Sequence, residues 1–286
     1  MSKRTTLGRP PSRREGRVSS YATGPVASTK RTAMDETGKM FRNLAYAQYR
    51  TTDEILGEGK TIQKAAESSI GMQRWADEMT DRLKEQMPPD RPIACRAGCA
   101  FCCHIQVSAT IPEVLVIAET IKAESDPERL AEVRSRIEMH RDKLRELTAE
   151  ERLHIRQACP LLVNGQCSVY QIRPLNCRGW NSDDAAKCET FYDDPHSEVK
   201  VTVYGPQQAV ASMIGTGSQS GLRSHGLEAR VVELVAAMEI VMDDPTAGLR
   251  WLAGEPVFES AEMAKGDRVF AKMEDEYLAV IPTQPF

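Results

Sequence analysis

The 286-residue chain is 41% hydrophobic and 27% charged and carries a net charge of −4, the composition of a globular protein with enough chain for one large domain or two small ones. No apolar run reaches the roughly 18 residues of a membrane helix, and the N-terminus lacks the apolar core of a secretory signal. The sequence therefore predicts a cytoplasmic protein with no membrane partner, in a compartment where thiols stay reduced.

The charge is unevenly spread. Residues 1–31 hold eight lysines and arginines against Glu15 alone, a surplus of seven charges, so the remainder carries −11. Residues 1–33 read as a disordered basic tail. Nucleic-acid binding by this tail is a weak reading, because no recognition motif or interleaved aromatics accompany it. Residues 34–92 form a helical N-terminal segment. Met40, Leu44, Ala47, Ile55, Ile62, Ala66, Ile70 and Met79 recur at helical spacing, and Gly57 and Gly59 divide the segment into two helices.

Pro88, Pro89 and Pro92 end the second helix and lead into residues 93–196, the cysteine-rich domain. Within it, Thr110 and Glu113 have the spacing of a capping box that opens a helix. Asp126-Pro127 opens another, and Thr148 a shorter one that ends before Cys159. Asn164-Gly165 between apolar runs predicts a small β-hairpin, with Cys159 and Cys167 near its ends. Arg173-Pro174 and Cys177-Arg178 fall in a turn, and Ser182 or Asp183 caps a short helix carrying Cys188. Residues 197–286 are expected to be a helical segment packing on this domain, with helices at Pro206–Gly215, Leu227–Met242 and after Asp244-Pro245. The Gly/Ser stretch with Gly215, Gly217 and Gly221 reads as a flexible linker or lid. The fold class is mostly α: a helical domain around a cysteine-rich metal-binding core with one small hairpin.

All eight cysteines lie between Cys95 and Cys188. Half of them stand in Cys95-Arg-Ala-Gly-Cys-Ala-Phe-Cys-Cys-His104, where short spacings let a loop wrap one metal centre. Cys95, Cys99 and Cys102, with Phe101, also match the motif of radical S-adenosylmethionine (SAM) enzymes. That class sets its motif after the first strand of a β/α barrel, whereas helix and prolines precede it here. A radical-SAM-like enzyme using these three cysteines is kept as an alternative. No phosphate-cradling Gly-rich loop or G-x-S-x-G elbow is present.

From Cys159 the pattern runs Cys159-Pro-Leu-Leu-x2-Gly-x-Cys167-x2-Tyr170-x2-Arg173-Pro174-x2-Cys177-Arg178, with Cys188 beyond. Together with the Cys102-Cys103 pair it resembles the YkgJ-type cysteine-cluster family, a zinc- or iron-chelating domain with a CxxCxxCC start. Residues 95–188 follow the family's order; the departure is the three-residue gap between Cys95 and Cys99, which places Cys95 behind the other seven as an expected ligand. The resemblance implies metal or iron–sulfur binding. It is distantly similar to flagellin lysine N-methylase, which pairs a related cluster with SAM, so methyl transfer is the enzymatic analogy.

The expected ligands are Cys95, Cys99, Cys102, Cys103, Cys159, Cys167, Cys177 and Cys188, with His104 as a further candidate. They fit either one four-thiolate cluster with spare cysteines, or two metal sites or one polynuclear site. Thiolate softness selects zinc, Cu(I) or iron–sulfur, and the density of thiols favours an iron–sulfur cluster, [4Fe–4S], over zinc. Arg173 and Arg178 are expected beside the centre, offsetting its negative charge, with Tyr170 packed over the hairpin. The functional expectation is redox or SAM-linked, methyl-transfer-like chemistry on an unknown protein or small-molecule substrate. The alternative from another class is a structural zinc-binding interaction module.

Overall fold

The computed structural model describes residues 28–263. The expected basic tail therefore falls outside the described residues up to residue 27, as does the C-terminal segment after residue 263. The chain divides into two compact units, 1–36 and 37–286. Of the first, only 28–36 are described, and they are helical. The second holds the core and all eight cysteines.

Ten α-helices are formed among the described residues, and no helix there is long and apolar enough to cross a membrane. Helix α1 spans Ser28–Gly57 and α2 Ile62–Gln86, the latter capped by Thr61, whose side chain accepts from the Lys64 N–H. The glycine break thus lies where the sequence puts it. Helix α2 buries Ala65, Ser68, Ser69, Met72, Gln73, Ala76, Thr80 and Leu83, one stripe at the helical period. It packs against α8 (Gly205–Ser224) and α3 (Ile111–Glu124).

Helix α3 is the centre of the main core: Ile111, Val114, Ile117 and Ala118 are almost wholly enclosed. Helix α9 (Leu234–Asp243) packs on it and α4 (Pro127–Arg145) packs on α9, with Trp251 of α10 (Ala247–Leu252) and Phe258 in the same core. Two antiparallel strand pairs complete the fold. The expected hairpin is β2 (Leu162–Val163) with β3 (Gln166–Cys167); Asn164 and Gly165 turn it with φ of 50° and 74°, a type I′ geometry that Asn-Gly favours. The second pair, β1 (Ser108–Ala109) with β4 (Val232–Glu233), has no signal in the sequence.

That pair explains one departure. A continuous helix over Leu227–Met242 fits the apolar period, but Val232 pairs with Ala109 instead, and the helix starts only at Leu234, capped by Glu233. Tertiary pairing overrides the local period. The other departures are also local. Cys177-Arg178 sit in a short helix, α6 (Leu175–Gly179), rather than a turn. Helix α7 (Ala185–Asp193) is capped by Asp184, which accepts from the Ala186 and Lys187 N–H groups; Ser182 supports that residue from behind. The predicted helix of Pro206–Gly215 continues to Ser224, so Gly215, Gly217 and Gly221 are neither linker nor lid but buried helix.

Helix α4 carries one buried titratable group. His140 shares a stripe with Val133, Ile137 and Leu144 and is 5% exposed, and its Nδ1 has no hydrogen-bond partner. Burial lowers its pKa to about 4, and Arg141 and Lys143 push the same way. In the unfolded chain a histidine titrates near 6.5. Above pH 6.5 both states are neutral. As pH falls from 6.5 towards 4, the unfolded chain takes up a proton that the folded one refuses, so stability drops. We expect a loss of about 2 kcal/mol between pH 7.5 and pH 5, and urea midpoints of wild type and His140→Leu at the two pH values will show it as a slope that the variant lacks.

Candidate metal centre

The first cysteine segment leaves α2 through prolines and is shaped by backbone turns. Gly98 takes a φ of 86°, and the Cys99 N–H donates to the Arg96 carbonyl at 3.0 Å. A 3₁₀ turn over Phe101–His104 follows. It is braced by α7, with Tyr192 against Phe101 and His104 at ring distances of 6.0 and 4.6 Å. The second segment lies along the first. The Cys159 N–H donates to the Cys103 carbonyl at 2.8 Å and the Gln157 N–H to that of His104 at 3.1 Å. From Cys159 the chain enters the hairpin, where Cys167 pairs with Leu162. Helix α6 then brings in Cys177.

All eight cysteines are free thiols. Seven of them, all but Cys188, line one cavity of about 280 Å³. Tyr170, Arg173, Pro174 and Arg178 line it too, together with Lys84, Trp180, Asn176 and Gln207, which sequence reasoning missed. Those four come from α2, the α6 region and α8, and no local motif marks them. Cys188 stands on α7 beside Ser182. His104 is not among the lining residues; its Nδ1 is hydrogen-bonded to the Ala100 carbonyl at 3.0 Å.

The thiols perturb one another. Cys103 accepts a hydrogen bond from Cys102, which lowers its pKa to about 7 and raises that of Cys102. Desolvation pushes Cys159 up to about 12, and Cys177 well above the usual thiol value; in each case neighbouring thiols add to the rise. Both are half-buried by area because they face the cavity, yet protein surrounds them. Cys167 is raised by desolvation and by Cys103, and lowered by Arg173. A thiol held neutral in this way yields its proton when a metal replaces it.

The two arginines differ. Arg173 stacks its guanidinium on the Tyr170 ring at 4.0 Å and donates to the Tyr170 carbonyl at 2.8 Å. Arg178 is buried, paired with Asp77 of α2, and donates to the carbonyls of Gln171 and Arg173. It pins the Tyr170–Pro174 turn to α2, and through the Gln207 side chain, which donates to its carbonyl, to α8.

Glu113 does more than its capping box. It is 1% exposed and accepts from the Thr110 N–H and hydroxyl at 2.8 and 3.0 Å. Its other oxygen accepts from the Leu175 N–H at 2.7 Å, tying the start of α6, and so Cys177, to the start of α3. Burial raises its pKa, and the bonds from Thr110 and Leu175 oppose the rise. A second cavity of about 160 Å³, lined by Glu113, Gln106, Ser108 and Gln208, adjoins the first and shares Ile105, Asn176 and Trp180 with it.

Among the described residues no three His, Cys, Asp or Glu side chains stand close enough to hold one metal ion. The donor set nevertheless suits a thiophilic centre: free thiols on two crossing segments, facing one cavity, with arginines beside them. Fold and site together define a helical protein with seven free thiols around one cavity. Residues 94–196, about a third of the chain, match the CxxCxxCC family model, described as "Putative zinc- or iron-chelating domain". No curated protein and no solved structure matches the chain. The described strands pair only in antiparallel twos, so no parallel sheet of the kind a radical-SAM barrel needs stands among the described residues.

Proposed function

We propose that the cysteine cavity holds an iron–sulfur cluster and that the protein works in electron transfer or redox chemistry. The observation that carries this reading is the spacing of the thiols. Four thiolates on one zinc, with Zn–S bonds of about 2.3 Å, lie only about 3.8 Å apart. Here seven thiols stand around an open space of about 280 Å³ and no trio gathers at one point. Such a wall suits a polynuclear metal–sulfur group, in which each thiolate binds its own iron.

The chain's own residues set the surroundings of that group. Arg173, beside Cys167, and Lys84 supply positive charge against several thiolates, and the N–H groups of Leu161 and Val169 donate to the Cys159 and Cys167 sulfurs. These are the means by which a protein tunes a cluster's potential. A redox role is supported over SAM-linked methyl transfer by size: the adjoining cavity, about 160 Å³, is below the roughly 300–1,000 Å³ of ordinary cofactor sites.

The test is purification without oxygen, followed by measurement of iron, zinc and acid-labile sulfide per chain. Iron with matching sulfide, and a broad visible absorption reversibly bleached by dithionite, are expected. Stoichiometric zinc without sulfide would replace this reading with a structural zinc module, whose chelation would unfold the domain.

A further inference from the structure

Helix α8 turns one stripe towards the second cavity. Gln208, Ala211, Ser212, Gly215 and Gln219 all line it, at spacings of three, four, seven and eleven residues that keep to one helix face. The small residues in the middle leave room, and the two amides stand at its ends. Gln106 and Ser108, from the segment that opens β1, line the cavity as well.

The polar groups of this wall have nothing to bond. Within the described residues the side chains of Gln106, Ser108, Gln208 and Gln219 make no hydrogen bond, although Gln219 is only 5% exposed. Enclosed amides ordinarily find partners within the protein, because an unpaired one is costly. Gln207, next in the chain, does so at the Arg178 carbonyl. Unused donors and acceptors that converge on one concave space are the arrangement of a binding site.

The lining also selects the ligand. Among the described residues no lysine, arginine or histidine borders the cavity, and its one titratable group, Glu113, has both oxygens engaged by Thr110 and Leu175. A charged molecule would give up water there for no partner. A cavity of about 150 Å³ takes up benzene, so one of about 160 Å³ suits roughly six heavy atoms. Ile105, Asn176 and Trp180 line this cavity and the thiol cavity alike, and Asn176 directly precedes Cys177.

We propose that the second cavity binds a small uncharged molecule of the carboxamide kind, whose donor and acceptor answer the unpaired amides, and presents it to the thiol cavity as substrate. The binding rests on the cavity alone; the role of substrate rests on the cluster reading above.

Propionamide, propionate and propylammonium are probes of similar size that differ in charge. Their binding to the full chain, purified without oxygen, is measured by ligand-observed NMR titration at neutral pH. Propionamide is expected to bind about tenfold more tightly than either ion, and Gln219→Leu and Gln208→Leu are each expected to weaken it about tenfold with circular dichroism unchanged. Gln208 is half-buried, so its variant decides should Gln219→Leu fail to fold. In protein that holds a cluster, propionamide is also expected to shift the electron paramagnetic resonance spectrum of the reduced state. Equal binding of the three probes, no binding, or variants that bind as wild type does would overturn the site and leave the cluster reading standing. Selective binding with an unmoved spectrum would overturn the substrate role. Selective binding to a chain without iron or sulfide would overturn the cluster reading and keep the site.

Discussion

Replacing Glu113 with alanine is expected to destabilise the protein by about 4 kcal/mol and to loosen the hold on Cys177. The carboxylate is enclosed, and both of its oxygens accept from groups that can only be satisfied there: the Thr110 and Leu175 N–H donors and the Thr110 hydroxyl. Removing the acceptor strands at least two buried N–H groups, and each such group costs about 1–3 kcal/mol. Glutamine does not rescue it fully, since its amide end would present a donor to a donor. An internal control is available. Thr148 and Glu151 make the same capping box at α5 (Ala149–His154), with the same two bonds at 2.8 Å, but on the exposed surface. There Glu151→Ala leaves only water-accessible groups unpaired and should cost a small fraction of the Glu113 loss. Urea midpoints of the two variants, measured side by side, separate a cap from a buried tie. Equal small losses would mean that Glu113 is a cap and nothing else.

The same pair shows what was legible in the sequence and what was not. Thr110–Glu113 and Thr148–Glu151 read identically as helix starts, and both are. Their difference lies in the distant segment that Glu113 meets, 62 residues on, and no local pattern carries that. Caps, glycine breaks and the Asn164-Gly165 turn were legible because their chemistry is local. The cysteines were legible as a group because eight thiols over residues 95–188 have no bland explanation in a chain able to build a core without staples. Which of them share the cavity was not, since it depends on how α7 and the hairpin fold back over the first cysteine loop. Likewise the β1–β4 pair is two residues long on each side, too short to leave a period, and Lys84 and Gln207 reach the cavity only through the packing of α2 and α8.

The glycines of α8 mislead for a related reason: a Gly/Ser stretch looks like a linker unless a partner helix fills the space its missing side chains leave. Here α1 does. A Cβ on Gly217 would collide with the Ala45 carbonyl oxygen and lie 2.9 Å from Gln48 Cβ, and one on Gly221 would lie 2.5 Å from Thr52 Cβ. The backbone of α8 thus rests directly on α1, an approach only glycine permits. Gly217→Ala is expected to cost about 3 kcal/mol or more, at the upper end of overpacking penalties, because the obstacle is main chain and cannot swing aside. Gly71 offers the opposite sign. It lies exposed in the interior of α2, with nothing within 4 Å of an added Cβ, so Gly71→Ala should gain about 0.5–1 kcal/mol from helix propensity alone. Thermal melts of the two variants would move in opposite directions. If Gly217→Ala melted with wild type, α1 and α8 would not be packed at the distance found here. The cavity's α8 wall, which carries Gln207, would then have to be placed anew.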